Sequence, residues 1–454
     1  MSYSQSIVAN ISLQTATQTQ QGFGTPIFIA AHSLYAERVR GYSSLKEMTD
    51  DNFKTTDNAY IAAQQAFNQS PAVPIVKIGR REEIWTGYIA STASIADVYS
   101  FTVNLPSIPY SISVSHTAVS GNLTQDDIAT ALKDIIDGDS TLAANLDATK
   151  VGTGAGTSLV VTTKTGEEFF TISDETGEFT GQLSSTESPS DTLLQIDNED
   201  NDYYFVCAED HSNAYIKLMS AAVESKSGEY FSSKYSIDEL GAYVALAVDK
   251  GVINELKDAG RDGTVVLFHQ DSDAFIEMSW VGSNAPYDAG SITWCNTQAV
   301  GASTSKNPAT GKPLTSTQKS NLTSKNANYV EADSNNPYFR TGVTSGGEWI
   351  DVIRGVDWMK SDLTASLKSL ILGQKGTKVP YTEVGEGMVR EAVMSSLQRA
   401  VNQGFINSDY IVTVPQVNKL DATQRVSRIL DGVTFAATLQ GAIHEITISG
   451  TVSA

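Results

Sequence analysis

The chain ends on two strand-like runs, and this ending constrains its fold more than any other feature. In the first run Val433, Phe435, Ala437 and Leu439 alternate with smaller or more polar residues. Gln440, Gly441 and Ala442 break the pattern. The second run starts at Ile443, and in it His444, Ile446, Ile448 and Val452 alternate with Glu445, Thr447 and Ser449. Period-two runs rich in β-branched residues predict strands with one apolar face. A terminal strand must find partners for its N–H and C=O groups, either in its own subunit or in a neighbour. The other terminus matches. Ile7, Ala9, Ile11 and Leu13 alternate with Val8, Asn10, Ser12 and Gln14, and a polar stretch over 15–21 then suits an extended linker. The chain reads as beginning and ending in strand-like arms. Two ordinary edge strands of one closed domain are the plainer alternative.

A chain of 454 residues exceeds what one core usually serves, so roughly two to four domains are expected. Residues 22–81 begin a core α/β domain. The run at 26–31 is continuously apolar, as in a buried parallel strand. Short helices at 43–48 and 58–68 follow, with Ser44 and Glu47 spaced as a capping box, and a second strand is expected at 73–78. The composition then changes. Residues 82–202 hold 3 Lys+Arg against 20 Asp+Glu, a net of −17 out of −21 for the whole chain. Short strands and one helix, capped by Thr124 and Asp127, predict an inserted acidic domain that is β-rich α+β. The α/β pattern resumes over 203–340, including a helix expected at 236–256 with Leu240, Tyr243, Val244 and Ala247 inward. A C-terminal domain over 341–441 is nearly neutral. In it we expect a strand at 349–354 and a helix at 357–372 with Leu363, Leu367, Leu370 and Ile371 inward. A helix at 386–402, a strand at 410–414 and a helix at 422–430 complete that domain before the arm at 442–454. The fold class is therefore an α/β core, a sheet with helices on both faces. The acidic insert interrupts it, and strand-like arms flank it.

The residues offer little chemistry. The acidic balance argues against nucleic acid as a partner, which wants a basic face. No apolar run approaches the roughly 18–20 residues of a membrane span. The first residues lack the basic and apolar regions of a signal peptide, so folding in the cytoplasm is expected. Five histidines and two cysteines show no metal-ligand spacing, and no phosphate loop or nucleophile elbow is present. The glycines at 152, 154 and 156 lack a helix opening from them and read as a turn. Cys207 and His211 could be imagined as nucleophile and base, but a strand cysteine beside a histidine is more often structural. No catalytic residue, cofactor or metal site is assigned, and the functional weight falls on assembly.

The order of several segments resembles the contractile tail sheath proteins of myovirus-like bacteriophages. The matching pieces are residues 22–24 with their strand, 292–295, 322–328, 347–353, 357–359, 379–383, 397–405 and 441–444. The terminal run 446–452 completes the set. The likeness spans 1–81 and about 203–454, leaving 82–202 where such sheaths carry variable outer domains. Cys295 departs from the polar or basic residue expected there. The resemblance implies a structural protein that polymerises with itself as stacked hexameric rings around a tail tube. Contraction would drive the tube through the host envelope without nucleotide hydrolysis. The implied partners are further copies of the chain, the tube protein, and baseplate and tail terminator proteins, with no nucleic acid and no membrane insertion. The implied location is the virion tail, assembled in the host cytoplasm. It also implies intersubunit strand exchange. Ile7, Val8, Ala9, Asn10, Ile11, Ser12 and Leu13 would form one arm, and Ile443, His444, Glu445, Ile446, Thr447, Ile448 and Val452 the other. Val433, Phe435, Ala437 and Leu439 would form the recipient strand. Lys360, Lys368, Arg390, Arg399, Arg425 and Arg428 are candidate contacts to an acidic tube. Another tail protein (tube or baseplate) and a cytoplasmic α/β enzyme are the competing readings.

Overall fold

The structure is a computed structural model. It describes residues 22–82, 84–90, 92–164, 169–177, 179–226, 228–245, 251–334, 336–373, 378–416, 419, 426 and 428–444. The described residues form two compact units, Gly24–Gly355 with 441–444, and Val356–Gln440 with 22–23.

The larger unit opens with β1 (Pro26–Ala31), β2 (Val39–Tyr42), α1 (Leu45–Asp50), α2 (Asn58–Phe67) and β3 (Val76–Arg81). The chain then enters an inserted region. Its strands are β4 (Ile84–Ile89), β5 (Val98–Leu105), β6 (Tyr110–Thr117), β7 (Leu146–Val151), β8 (Ser158–Thr163), β9 (Thr171–Thr176) and β10 (Phe179–Ser184). Helices α3 (Gln125–Gly138) and α4 (Leu142–Asn145) lie between β6 and β7. Beyond it come α5 (Pro189–Glu199), β11 (Phe205–Ala208), α6 (Asn213–Glu224), β12 (Glu229–Lys234), α7 (Val252–Asp258) and β13 (Thr264–Phe268). The unit continues with α8 (Ile276–Asn284), β14 (Thr297–Gln298), α9 (Ser316–Ser324), β15 (Asn328–Asp333) and β16 (Asn336–Arg340).

One nine-stranded sheet organises this unit, in the order β14-β16-β15-β13-β12-β11-β1-β3-β2. Neighbours from β3 to β15 pair in parallel, and the outer pairs are antiparallel. The inner strands are apolar along their length because both faces are covered. Ile27, Ile29, Val206 and Val266 face a layer that includes Ile216, Met219 and Val223 of α6. On the other face Phe28 meets Phe275 edge-on at 4.8 Å, and Trp280 stacks on Phe339 at 4.9 Å. Gly282 lets α8 press on α2, since a Cβ there would lie 2.6 Å from Ala66 Cα.

The inserted region has its own core. The antiparallel sheets β10-β4-β8-β7 and β6-β5-β9 close over Trp85, Phe101, Val103, Ile128, Leu132 and Val161. Thr124 and Asp127 form the expected capping box of α3. The insert was expected to run to residue 202, but its core closes at β10. Helix α5 returns to the parent core, where Leu193 and Ile196 are buried.

Two other expectations fail for local reasons. The single helix expected at 236–256 is a short 3-10 turn, Ile237–Leu240, and then α7. Gly241 takes an extended conformation that ends the turn, and the Glu239 carboxylate instead accepts from Ile253 N at 3.3 Å. Leu240 is buried, Tyr243 and Val244 are exposed, and Ala247 lies outside the described residues. The strand expected at 349–354 is the first turn of a helix. Its buried pair, Ile350 and Arg354, has helical i,i+4 spacing, and Arg354 donates to the carbonyls of Asn284, Ala285 and Tyr287 beyond α8. Cys207 lies on β11 and Cys295 outside any strand, and both are buried and unbridged.

The smaller unit contains most of α10 (Ile350–Leu372), then α11 (Glu383–Asn402), β17 (Ile411–Thr413) and β18 (Thr434–Ala436). The helix expected at 422–430 lies largely outside the described residues.

Candidate assembly interface

The smaller unit buries little. Val393, Leu397, Ala400, Phe405 and Ile406 are buried with Trp358 and Val414. Against this stand Ile371 at 67%, Leu372 at 77%, Val384 at 69% and Ile411 at 65% exposure. Leu363, Leu367 and Leu370 are half-buried, so the inward stripe expected for α10 loses its last member, Ile371, to the surface. Apolar exposure on this scale in so small a body marks an interaction surface.

The strands sharpen the point. β17 and β18 pair antiparallel, Ile411 opposite Ala436 and Thr413 opposite Thr434. A bridge between Ile406 and Leu439 continues the ladder, with Asn407 N donating to Thr438 O at 2.8 Å and Gln440 N to Phe405 O at 3.0 Å. Among the described residues no third strand joins this sheet. Two strands alone are marginal in water, and a strand edge without a partner strand is a place where a further strand can add. Val433 is half-buried, while Phe435, Ala437 and Leu439 are exposed on this ribbon. Ile7, Val8, Ala9, Asn10, Ile11, Ser12 and Leu13 lie outside the described residues, as do Glu445, Ile446, Thr447, Ile448 and Val452. Of the C-terminal arm, Ile443 is exposed and His444 half-buried.

The six candidate cations separate. Arg399 is committed to Asp362, to Ser366 Oγ at 2.6 Å and to Ser395 Oγ at 3.1 Å. Arg390 donates to Val412 O at 3.1 Å and to Glu386, which fastens α11 to β17. These two hold the unit together and are withdrawn from the list of free cations. Lys360, Lys368 and Arg428 are exposed, and Arg425 lies outside the described residues.

The sheet also has the place where folds of its order bind ligands, the carboxyl ends of β1 and β11, where strand order reverses. There the Glu209 carboxylate accepts from Ala31 N at 2.7 Å and from Asn58 Nδ2 at 3.2 Å. The crevice is thus bridged by the protein's own groups. Nearby, His211 Nε2 lies 2.8 Å from Glu277 Oε1, and the Ser233 hydroxyl donates to the other carboxylate oxygen. Glutamate sits between the two, whereas a nucleophilic serine would need the histidine in that place. Burial pushes the Cys207 thiol well above its ordinary pKa, which keeps it protonated. Among the described residues no group of three or more His, Cys, Asp or Glu is placed to hold a metal ion, and no helix is long and apolar enough to cross a membrane.

Residues 350–431, from the first residue of α10 to just before β18, match the family model described as E217 tail sheath protein gp31-like, C-terminal domain. The match supports a phage tail sheath protein with a structural role in the virion tail. No curated protein matches the chain. The segment matched holds the exposed Ile371, Leu372, Val384 and Ile411 and the first strand of the ribbon, β17. Exposure next to a strand-like sequence could have signalled this surface, but apolar periodicity alone does not distinguish a buried face from a docking face.

Proposed function

We propose that the chain is the subunit of a contractile tail sheath, polymerising as stacked hexameric rings around a tail tube. The observation that carries this reading is the open β17–β18 ribbon, whose first strand lies in the segment that matches the sheath domain and whose second follows directly after it. The N-terminal arm and the C-terminal arm of neighbouring subunits add strands to that ribbon. Such links survive while globular contacts slide, so the rings stay joined as the sheath shortens and drives the tube through the host envelope. The energy comes from contacts made in the shortened state. Tube, baseplate and terminator proteins are the other partners, and assembly takes place in the host cytoplasm. The α/β core carries the acidic insert on the outer side, away from the tube. Electron microscopy of the purified protein tests the proposal. Striated hollow cylinders are expected; smooth narrow tubes would point to a tail tube protein, and dispersed particles under all conditions would overturn a sheath.

A further inference from the structure

The chain passes out of the core unit after Gly355 and rejoins it at Gly441. Just past the return, His444 is seated in a socket made by residues from two other stretches of that unit, 293–296 and 349–351. Its ring meets Trp349 edge-on, with centroids 4.4 Å apart and planes at 79°. Its Nε2 is 2.7 Å from Thr293 Oγ1, and its carbonyl accepts from Asn296 Nδ2 at 3.3 Å. The socket is itself braced. Thr293 Oγ1 also accepts from Cys295 N at 3.1 Å, which holds the hydroxyl in place beside Nε2. Arg340 Nη1 donates to Asn296 Oδ1 at 2.8 Å and so fixes which way the amide points. Asn296 holds a left-handed backbone, φ 61°, that asparagine tolerates. Beside it Asp351 Oδ1 is buried with no hydrogen-bond partner among the described residues. Burial raises the Asp351 pKa, while the nearby His444 acts to lower it. The residues leading to His444 make no such contacts: Gly441, Ala442 and Ile443 are exposed, Ile443 at 82%.

We infer that the socket of Thr293, Asn296, Trp349 and Asp351 fixes the point from which the C-terminal arm departs, with His444 as its positioning residue. A strand that adds to another sheet must arrive in one register, because a slip of one residue turns every side chain to the wrong face. A fixed origin also sets the effective concentration of the arm at its recipient. The arm's purpose rests on the sheath reading, but the anchoring of His444 does not.

The test uses the full chain with His444→Ala, His444→Gln and Thr293→Val. Carboxypeptidase digestion and hydrogen exchange at residues 441–444 report on the anchor in the unassembled subunit. Cylinder formation reports on its use. His444→Ala is expected to speed digestion past residue 444 and exchange there by about tenfold, the scale of one or two lost hydrogen bonds. The thermal midpoint of the core should not change. Thr293→Val, which keeps the ring contact, should act in the same direction. His444→Gln, which keeps a polar atom near the Nε2 position, should restore protection in part. Cylinders should be lost with His444→Ala and partly regained with His444→Gln. Wild-type protection in both His444→Ala and Thr293→Val would overturn the anchor. A released arm with wild-type cylinders would overturn its positioning role. If the variants release the arm but the wild-type chain never forms cylinders, the anchor stands and the sheath reading fails.

Discussion

Arg399 Nη2 lies 2.6 Å from Asp362 Oδ2, and Arg399 Nε reaches the two oxygens of the same carboxylate at 3.2 and 3.1 Å. The pair joins α11 to α10, and Ser396 donates a further hydrogen bond to Asp362. Asp362 is almost fully buried, while Arg399 keeps a third of its side chain in water. Arg399→Ala leaves the carboxylate buried without its cation. The expected cost is about 1.5–3 kcal/mol, the range for a charged hydrogen bond partly screened by solvent. Hydrogen exchange along α10 and α11 should rise accordingly. Exchange at the wild-type rate would mean that the pair contributes nothing.

Lys360 and Lys368 carry the complementary expectation. Both are exposed on α10, so reversing their charge should leave the subunit's unfolding midpoint unchanged. If they meet an acidic tube, Lys360→Glu with Lys368→Glu should weaken co-assembly, and added salt should weaken the wild type in the same way. Co-assembly that is indifferent to both changes removes them as tube contacts.

The contrast between these cations shows what the sequence could carry. Arg399 and Asp362 are 37 residues apart, and nothing in the spacing of either announces the other. The buried strand β1 was legible because both faces of a parallel sheet are covered, which leaves an unbroken apolar run. Residues 349–354 also read as a strand, but a short, partly apolar stretch does not by itself separate strand from helix. Arg354 decides the matter through contacts with α8 that only the tertiary fold supplies. Ile371 misled for another reason. Helical spacing of an apolar residue predicts an inward side chain, whereas this one is 67% exposed.

The core's histidines predict opposite responses to acid and base. Burial alone would lower the His211 pKa, but the charge and hydrogen bond of Glu277, aided by Asp273 and Asp210, raise it above its ordinary 6.5. A raised folded pKa contributes stability that is full below 6.5 and fades as pH climbs through the folded value. His32 behaves in reverse. Burial, then Arg80 and Arg40, lower it from 6.5 to about 3, so stability falls as pH drops through that interval. Denaturation midpoints followed across pH should therefore decline on both sides of near-neutral. Glu277→Gln should flatten the alkaline limb and His32→Asn the acid limb. A limb unchanged by its own variant assigns it to other groups.

The arms are tested by removing residues 1–14 in one variant and residues 445–454 in another, the second keeping His444 in its socket. Each variant should stay folded and soluble yet fail to form cylinders. Each main-chain hydrogen bond of an added strand contributes on the order of 1 kcal/mol, so a strand of several residues outweighs most rim contacts. Either variant building cylinders that contract without shedding subunits would remove that arm from the tether.

The inserted region should be removable, provided the cut respects its core. Ile84 and Ser184 are register partners on β4 and β10, so the two ends leave the parent domain side by side, roughly 5 Å apart. A linker of a few Gly and Ser residues spans that gap at roughly 3.3–3.6 Å each. The seam on the parent side stays intact. Arg81 Nη2 donates to the carbonyls of Ser185 and Glu187, both at 3.3 Å, and the Glu187 carboxylate pairs with Arg38 at 3.0 Å. Helix α5 is different in kind. Ile196 Cδ1 sits 2.7 Å from where a Cβ on Gly79 would be, so α5 packs directly on β3 at the one residue that leaves room. Replacing residues 84–184 by the linker should leave the parent unit's unfolding midpoint close to the wild type. Replacing 84–202 removes Leu193 and Ile196 as well, and each buried aliphatic side chain lost from a core costs about 2–5 kcal/mol. That variant should be insoluble or unfolded. Differential scanning calorimetry distinguishes the outcomes, and equal behaviour of the two deletions would show that α5 belongs with the insert after all.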